Sequence, residues 1–183
     1  MIFLHSDDEL YQTFLDGDTA GLDTLVLRHR VRLIAYLSSM LHNAEDAEDM
    51  AMEAFARIMV KKPRIAEGNF RAYLYQTARH LTFRYLRKYR LEDIRIEDLD
   101  IPDHRTAETT VMEAERSRIL HSCLGKMESG VKEALWLIYF EDMSYAQAAK
   151  IMHVTSKKID NLLMKGKRLL RAELEKEGIT DAG

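Results

Sequence analysis

From Leu22 to Lys62 the chain runs for 41 residues without a glycine or a proline. Strands of ordinary length need turn residues every several positions, so a stretch this long without breakers can be regular only as helix. The whole sequence holds just 2 prolines and 8 glycines, which extends the argument to most of its 183 residues. Apolar residues recur at i, i+3 and i+4 rather than alternating. Leu22, Leu25, Val26, His29, Leu33, Tyr36, Leu37, Met40 and Leu41 trace one stripe. Ala47, Met50, Ala51, Ala54, Phe55, Ile58 and Met59 trace a second, and Phe70, Tyr73, Leu74, Thr77, Ala78, Leu81 and Tyr85 a third. The expected fold class is all-α.

Local signals divide the chain. Ser6-Asp7-Asp8-Glu9 reads as a capping box that opens a helix running toward Asp16, and Gly17-Asp18 ends it. His42-Asn43 closes the second helix, a third spans Ala44 to Lys62, and Lys61 to Asn69, with Pro63 and Gly68, is a loop. A fourth helix of about 20 residues follows from Phe70. These four make an N-terminal helical bundle over residues 1–90. Residues 91–115 lack sustained apolar periodicity and contain Pro102, so they read as a linker, with Thr109 to Arg118 also open to a helical reading. A second small helical domain covers 116–183. In it Val131 to Phe140 is one helix, Ser144-Tyr145-Ala146-Gln147 is a second capping box opening a helix to Met152, and Thr155 or Ser156 caps a last helix to about Glu177.

Several function classes are disfavoured. The longest apolar run, Ala134 to Phe140, is seven residues and too short to span a bilayer. Met1 to Leu4 is too short for a secretory signal, and the single cysteine, Cys123, suits a reducing cytoplasm, so the expected location is cytoplasmic with no membrane insertion. There is no Gly-rich phosphate loop, Ser/His/Asp order or His-Glu-x-x-His, so an enzyme is not expected. His121 and Cys123 supply two of the four ligands that a zinc site needs, and no metal or other cofactor is expected. Glu45, Asp46, Glu48 and Asp49 fit a solvated or partner-binding face better than a cation site.

The net charge of −3 conceals a pattern. Residues 1–69 carry −5, 70–90 carry +6, 91–115 carry −7 and 116–183 carry +3. Fields act locally, over roughly 10 Å at moderate salt, so the blocks matter more than the total. In the last block, Ser144 to Leu163 has helix-turn-helix spacing. Ala149 is small enough for close helix approach, His153 sits at the turn position that requires φ > 0, and Val154 and Ile159 fill the gap between the helices. Seven bases and one acid, Asp160, lie between Lys150 and Arg171. Ser156, Lys157, Lys158, Asp160 and Asn161 open the second helix, where a recognition helix meets the major groove, with Asn161 a base-edge reader. Lys165, Arg168 and Arg171 follow at helical spacing and suit phosphates.

Residues 70–90 have a different chemistry. Six bases and no acid are interleaved with Phe70, Tyr73, Tyr75, Phe83, Tyr85 and Tyr89. Aromatic faces stack unpaired bases while cations follow the backbone, which suits single-strand binding. Phe70, Tyr73 and Leu74 are expected in the core, leaving Tyr75, Phe83 and the bases as candidates for DNA contact.

This pairing of readers, in this order, resembles an extracytoplasmic-function (group IV) sigma factor of the sigma-70 family. Asp46-Ala47-Glu48-Asp49-Met50-Ala51-Met52-Glu53-Ala54-Phe55 resembles that family's D-A-E-D-L-x-Q-E-x-F polymerase-binding helix. Asn69-Phe70-Arg71-Ala72-Tyr73-Leu74-Tyr75-Gln76-Thr77-Ala78-Arg79-His80 is similar to S-F-R-A-W-L-x-x-I-A-R-N, which leads into the reader of the −10 element. Met143 to Met152 resembles L-S-Y-E-E-I-A-E-I-L at the start of the −35 reader. The resemblance implies an alternative sigma factor that binds core RNA polymerase, through the largest-subunit clamp helices and the flap, and directs initiation at promoter DNA. It implies polymerase contact at Asp46, Asp49, Met52, Glu53 and Phe55. It implies −10 contact at Lys62, Arg64, Asn69, Arg79, His80, Arg84, Arg87 and Lys88, and −35 contact at Ser156, Lys157, Lys158, Asp160, Asn161, Lys165 and Arg168. An anti-sigma factor is an implied partner, and the acidic linker would mimic nucleic acid in the polymerase. Met52 stands where the family has Gln, His80 where it has Asn, and Asp160 and Leu162 where bases are common, so an unusual −35 sequence is expected. Two alternatives stand beside it: a stand-alone helix-turn-helix regulator, which accounts for residues 131–175 but leaves the acidic helix Asp46 to Phe55 unexplained, and an interaction protein that only sequesters a partner, with the acidic faces as decoys.

Overall fold

The computed structural model describes residues 5–89 and 111–178, with the side chains of 111–113, 116 and 117 not described. Arg90, most of the linker and the Met1 to Leu4 segment therefore lie outside the described residues. Those that are described form eight α-helices, one π-helical turn and no strand, divided between two compact units.

The N-terminal unit is built from α1 (Asp7–Leu15), α2 (Ala20–Leu41), α3 (Ala44–Lys61) and α4 (Phe70–Tyr89). Both halves of the Ser6/Glu9 capping box form, and Asp7, Asp8 and Glu9 place negative charge where the first turn has unsatisfied N–H groups. Helix α2 ends at His42 in a left-handed conformation (φ 58°), and the next residue, Asn43, caps α3 through its side chain. Two adjacent caps, His42 and Asn43, with no residue between them, force α2 and α3 into an αα-hairpin. Leu25, Leu33, Leu37, Ile58 and Leu74 are essentially inaccessible, and Ala47, Ala51 and Ala54 give α3 a small-residue face that lets its neighbours approach closely. Gly21 serves the same purpose where α1 crosses α2: a Cβ there would stand 2.2 Å from the Leu10 carbonyl oxygen and 2.9 Å from the Phe14 nitrogen.

Three expectations are corrected in this unit. Tyr75 is fully buried, its ring 5.1 Å from that of Tyr36, so it cannot stack on a base. Tyr73, expected inside, is only half-buried. Met59, placed on the core stripe by its spacing, is 49% exposed although the neighbouring Ile58 is buried, so the stripe's edge falls between them.

The second unit contains α5 (Val111–Gly125), α6 (Ser129–Leu135), a π-turn (Trp136–Phe140), α7 (Tyr145–Met152) and α8 (Ser156–Lys176). Helix α5 starts inside the segment read as linker. The single helix expected from Val131 to Phe140 is continuous but widens into the π-turn, with the Glu141 N–H donating to the Trp136 carbonyl at 3.1 Å. The wide turn lets the Trp136 indole stack on Phe140 (4.8 Å) while its N–H donates to the buried Glu141 carboxylate at 3.3 Å. The Ser144/Gln147 capping box opens α7, and His153 closes it with φ 55°, as the turn spacing requires. Thr155, not Ser156, caps α8, accepting from the Lys158 N–H. Ile159 and Leu163 fill the space against α7, and Gly166 lets α8 lie against α6: a Cβ there would stand 2.7 Å from Leu135 Cδ1 and 2.9 Å from Val131 Cγ1. The intrinsic cost of a mid-helix glycine is thus offset by a close helix crossing.

Candidate nucleic-acid and partner interface

The outer face of α3 carries Asp49, Met52 and Glu53, all exposed. Glu53 pairs with Arg57 one turn on, at 2.9 Å, and Glu48 pairs with Arg30 of α2. Phe55, on the core stripe by its spacing and at the polymerase only by the resemblance, is 3% exposed and lies in the core as the spacing predicts, which leaves it no surface for direct polymerase contact. Asp46 is half-buried beside Tyr85 of α4; burial first, and then the Asp46 carboxylate, push that phenol above its ordinary pKa. The apolar share of this face escaped the sequence reading. Leu27 and Val31 on α2, flanking the residue that bridges to α3, and Val60 on α3 are 75%, 63% and 78% exposed. Exposed apolar side chains around a rim of acids suit a protein partner. The detectable signal was that Leu27, Val31 and Val60 fall off the core stripes.

The second surface begins in the loop between α3 and α4. Lys62 adopts a left-handed conformation (φ 44°), its ammonium 5.3 Å from the Phe14 ring centroid, and Arg64 is exposed. Asn69 is half-buried, its amide donating to the Glu67 carbonyl at 3.2 Å. Two hydrogen bonds join this loop to α1: the Tyr11 hydroxyl donates to the Pro63 carbonyl at 2.6 Å, and the Gly68 N–H donates to Asp8 at 2.8 Å. Burial first, and Tyr73 second, push the Tyr11 phenol up to about 12, so it remains a donor at any working pH.

Along α4, Tyr73, Gln76, His80, Phe83, Arg84 and Arg87 recur at three- and four-residue spacing and share the outward face; Lys88 is exposed beside them. The Arg79 guanidinium lies 4.4 Å from the Phe83 ring centroid, forming a cation–π shelf with aromatic and positive surface together. Gln76 was missed by the sequence reading, although its spacing from Tyr73 and His80 would have found it. Loop and helix together offer donors, cations and exposed aromatic rings, Phe83 and, farther along α4, Tyr89, a chemistry that suits an unpaired strand.

In the second unit Ser156, Lys157, Lys158, Asp160, Asn161 and Arg168 are all exposed on α8. Lys165 is half-buried and bonded to Glu128 at 2.9 Å, and Lys167 sits 5.4 Å from the Tyr139 ring centroid. A hydrogen bond with Tyr139 holds the Lys167 ammonium above its ordinary pKa. A surface pair such as Lys165–Glu128 adds little stability. Met164, 64% exposed between Asn161 and Arg168, adds an apolar spot suited to a thymine methyl group. Among the described residues no three His, Cys, Asp or Glu side chains gather as a metal site, and no helix is long and apolar enough to cross a membrane.

Comparison with known proteins assigns both units. The family description "Sigma-70 region 2" matches residues 25–92, and "Sigma-70, region 4" matches residues 117–170. The ECF RNA polymerase sigma factor SigM of Bacillus subtilis is 23% identical over 175 residues, covering 95% of this chain and 98% of that one. The RNA polymerase sigma-H factor of Pseudomonas aeruginosa is 28% identical over 169 residues, covering 83% and 85%. A solved structure of CnrH in complex with the cytosolic domain of CnrY aligns with a TM-score of 0.67 at 23% identity, covering 93% of this chain and 97% of that one, and shares its fold. With regions 2 and 4 both present in order, the chain belongs to the sigma-70 family, as an extracytoplasmic-function sigma factor that directs transcription initiation.

Proposed function

We propose that the division of labour follows the two chemistries on the surface. The outer face of α3, with Asp49, Met52 and Glu53 and the neighbouring Leu27 and Val31, meets the clamp helices of the largest polymerase subunit. Asp46 contributes from its edge. Loop 62–69 and the outward face of α4 take the melted −10 strand: Lys62, Arg64, Arg84, Arg87 and Lys88 hold phosphates, while Asn69, His80 and the Arg79–Phe83 shelf face an extruded base. Helix α8 enters the major groove of the −35 duplex, with Asn161 and Asp160 at base edges and Lys157, Lys158, Lys165 and Arg168 on phosphates. The polymerase flap holds this unit over its element.

The observation that carries this reading is the Arg79–Phe83 shelf beside an exposed basic loop in one unit, set against a purely helical basic face in the other. A duplex reader alone needs only the second. The protein acts by binding and has no step of covalent chemistry to perform. Its net charge of −3 keeps free-protein affinity for DNA low, so specificity emerges when polymerase holds both units on one promoter. An anti-sigma factor in the cytoplasm that covers the outer face of α3 would block the first step.

The test is transcription in vitro from a genomic fragment library with core polymerase, with and without this protein. Initiation at a discrete set of promoters, dependent on both components, is expected. Tight promoter binding by the protein alone, with no polymerase-dependent initiation, would instead favour the stand-alone regulator.

A further inference from the structure

Helix α1 lies before residues 25–92 and has no part in the interfaces assigned above. Yet one side of it grips the strand-reading loop at both ends. Phe14 lies under the Lys62 ammonium (5.3 Å), Tyr11 donates to the Pro63 carbonyl (2.6 Å), and Asp8 accepts the Gly68 N–H (2.8 Å). Residues 8, 11 and 14 fall on one helical face, so a single docked helix makes all three contacts at once. The held positions are the unusual ones: Lys62 and Gly68 both have positive φ (44° and 75°), and for Lys62 that conformation is intrinsically unfavourable. Between them, Arg64, Ala66 and Glu67 are exposed and make no contact with α1 that would cover them. The helix is itself anchored independently of the loop, by Asp7 bonded to Arg28 (2.7 Å) and His29 (2.8 Å) and by the close crossing at Gly21.

We infer that α1 is a latch that presets loop 62–69 in its strand-binding shape, with Tyr11 and Asp8 as positioning residues that never touch DNA. The inference rests on the reading of that loop as a −10 strand reader. A loop held at both ends loses little conformational freedom when the strand binds, so the latch acts on affinity for the strand and not on the docking of polymerase.

The experiment uses the full chain carrying Tyr11→Phe and Asp8→Ala together, assembled with core polymerase. The phenylalanine keeps the ring packing against Phe14 and Phe70 (6.0 and 5.3 Å) and removes only the hydroxyl. The probe is the labelled non-template single strand of a promoter selected by transcription from the genomic library. Two hydrogen bonds lost predict roughly 10-fold weaker strand binding by the holoenzyme. Affinity for core polymerase and for the −35 duplex should be unchanged, exchange of the Gly68 amide faster, and strand binding partly recovered, to about three-fold below the parent, in Tyr11→Phe with Asp8→Asn, which restores the acceptor for Gly68 but not the Tyr11 bond. Strand affinity within two-fold of the parent despite faster Gly68 exchange would overturn the latch, as would equal losses in all three binding assays. The underlying reading has its own control: if Lys62→Ala with Arg64→Ala leaves strand binding intact, the loop is no strand reader and the latch falls with it.

Discussion

Loop 62–69 has local bonds at its ends but is tied down between them by residues 52 and 60 positions away in the chain, whereas the start of α8 is fixed by a cap three positions away. The ligands account for the contrast. A duplex offers a groove of fixed width, and a preformed helix entering it needs only local rules to be correct. A melted strand has no shape of its own, so its reader must supply one, and a loop in left-handed conformations is rigid only where tertiary contacts make it so. The duplex reader of this protein should therefore tolerate damage to its fold better than the strand reader.

The largest effect expected from this contrast comes from paired glycine substitutions. Gly21→Ala drives a methyl group into the backbone of α1, which cannot rotate away, and should cost about 3 kcal/mol in denaturant unfolding of the N-terminal unit. Strand binding should fall with it, while −35 duplex binding holds. Gly166→Ala meets only the side chains of Leu135 and Val131, which can shift, and gains about 1 kcal/mol of helix propensity. Its net effect should stay within about 1 kcal/mol of zero. Equal damage from both substitutions would break the comparison, because it would make the duplex reader as dependent on tertiary fit as the loop.

The same contrast sorts what could be read from the sequence. Helix order, both capping boxes, the His42-Asn43 joint and the left-handed His153 were legible, because each is set by neighbours within about four residues. The outward placement of Lys157, Lys158 and Asn161 was legible for the same reason. Periodicity failed where two stripes compete on one helix. Tyr73 and Tyr75 are both aromatic and two residues apart, and only the position of Tyr36 on α2 decides that Tyr75 goes inside. Phe55 faces the core, as its place on the α3 stripe predicts, although the motif it completes is a partner-binding one, since a motif records residue type and not direction. The bonds from Tyr11 and Asp8 to the loop left no sequence signal at all. The reason for Gly166 was equally hidden, because a helix crossing is a property of two distant segments.

A smaller effect tests the α8 side. In the holoenzyme, Asn161→Ala should cost about 1–3 kcal/mol at one −35 base pair and relax the preference there. Lys157→Ala should weaken all −35 sequences alike and reduce the slope of log affinity against log salt by about 0.9. The two substitutions lie on the same exposed turn of one helix, so any difference between them reports contact chemistry rather than folding. If Lys157→Ala changed sequence preference while Asn161→Ala did not, the two roles would be exchanged.

The smallest effect concerns acid. Burial alone would raise the Asp7 carboxyl, but hydrogen bonds and charge from His29 and Arg28 outweigh it and hold it below the ordinary value of 3.8. A carboxyl with a lowered folded-state pKa contributes its full stability above the unfolded-state value. That contribution fades as the pH falls from about 4 through the lower folded-state value, where the unfolded chain binds the proton more readily. Asp7 anchors α1, so acid should loosen the N-terminal unit and, through Tyr11 and Asp8, the loop. Among the described residues of the second unit, Glu173 has a lowered pKa, held down by hydrogen bonds from Lys176 and Lys126 at a surface that salt screens. The single tryptophan, Trp136, is buried in the second unit and reports its unfolding, while exchange of the Gly68 amide reports the loop. Between pH 5 and 3 the Gly68 amide should lose protection relative to neighbouring helix amides before Trp136 fluorescence changes. Asp7→Asn should flatten that dependence while leaving the tryptophan transition where it was. Simultaneous loss of both signals in the parent protein would mean that acid stability is not divided as the anchoring of the two readers requires.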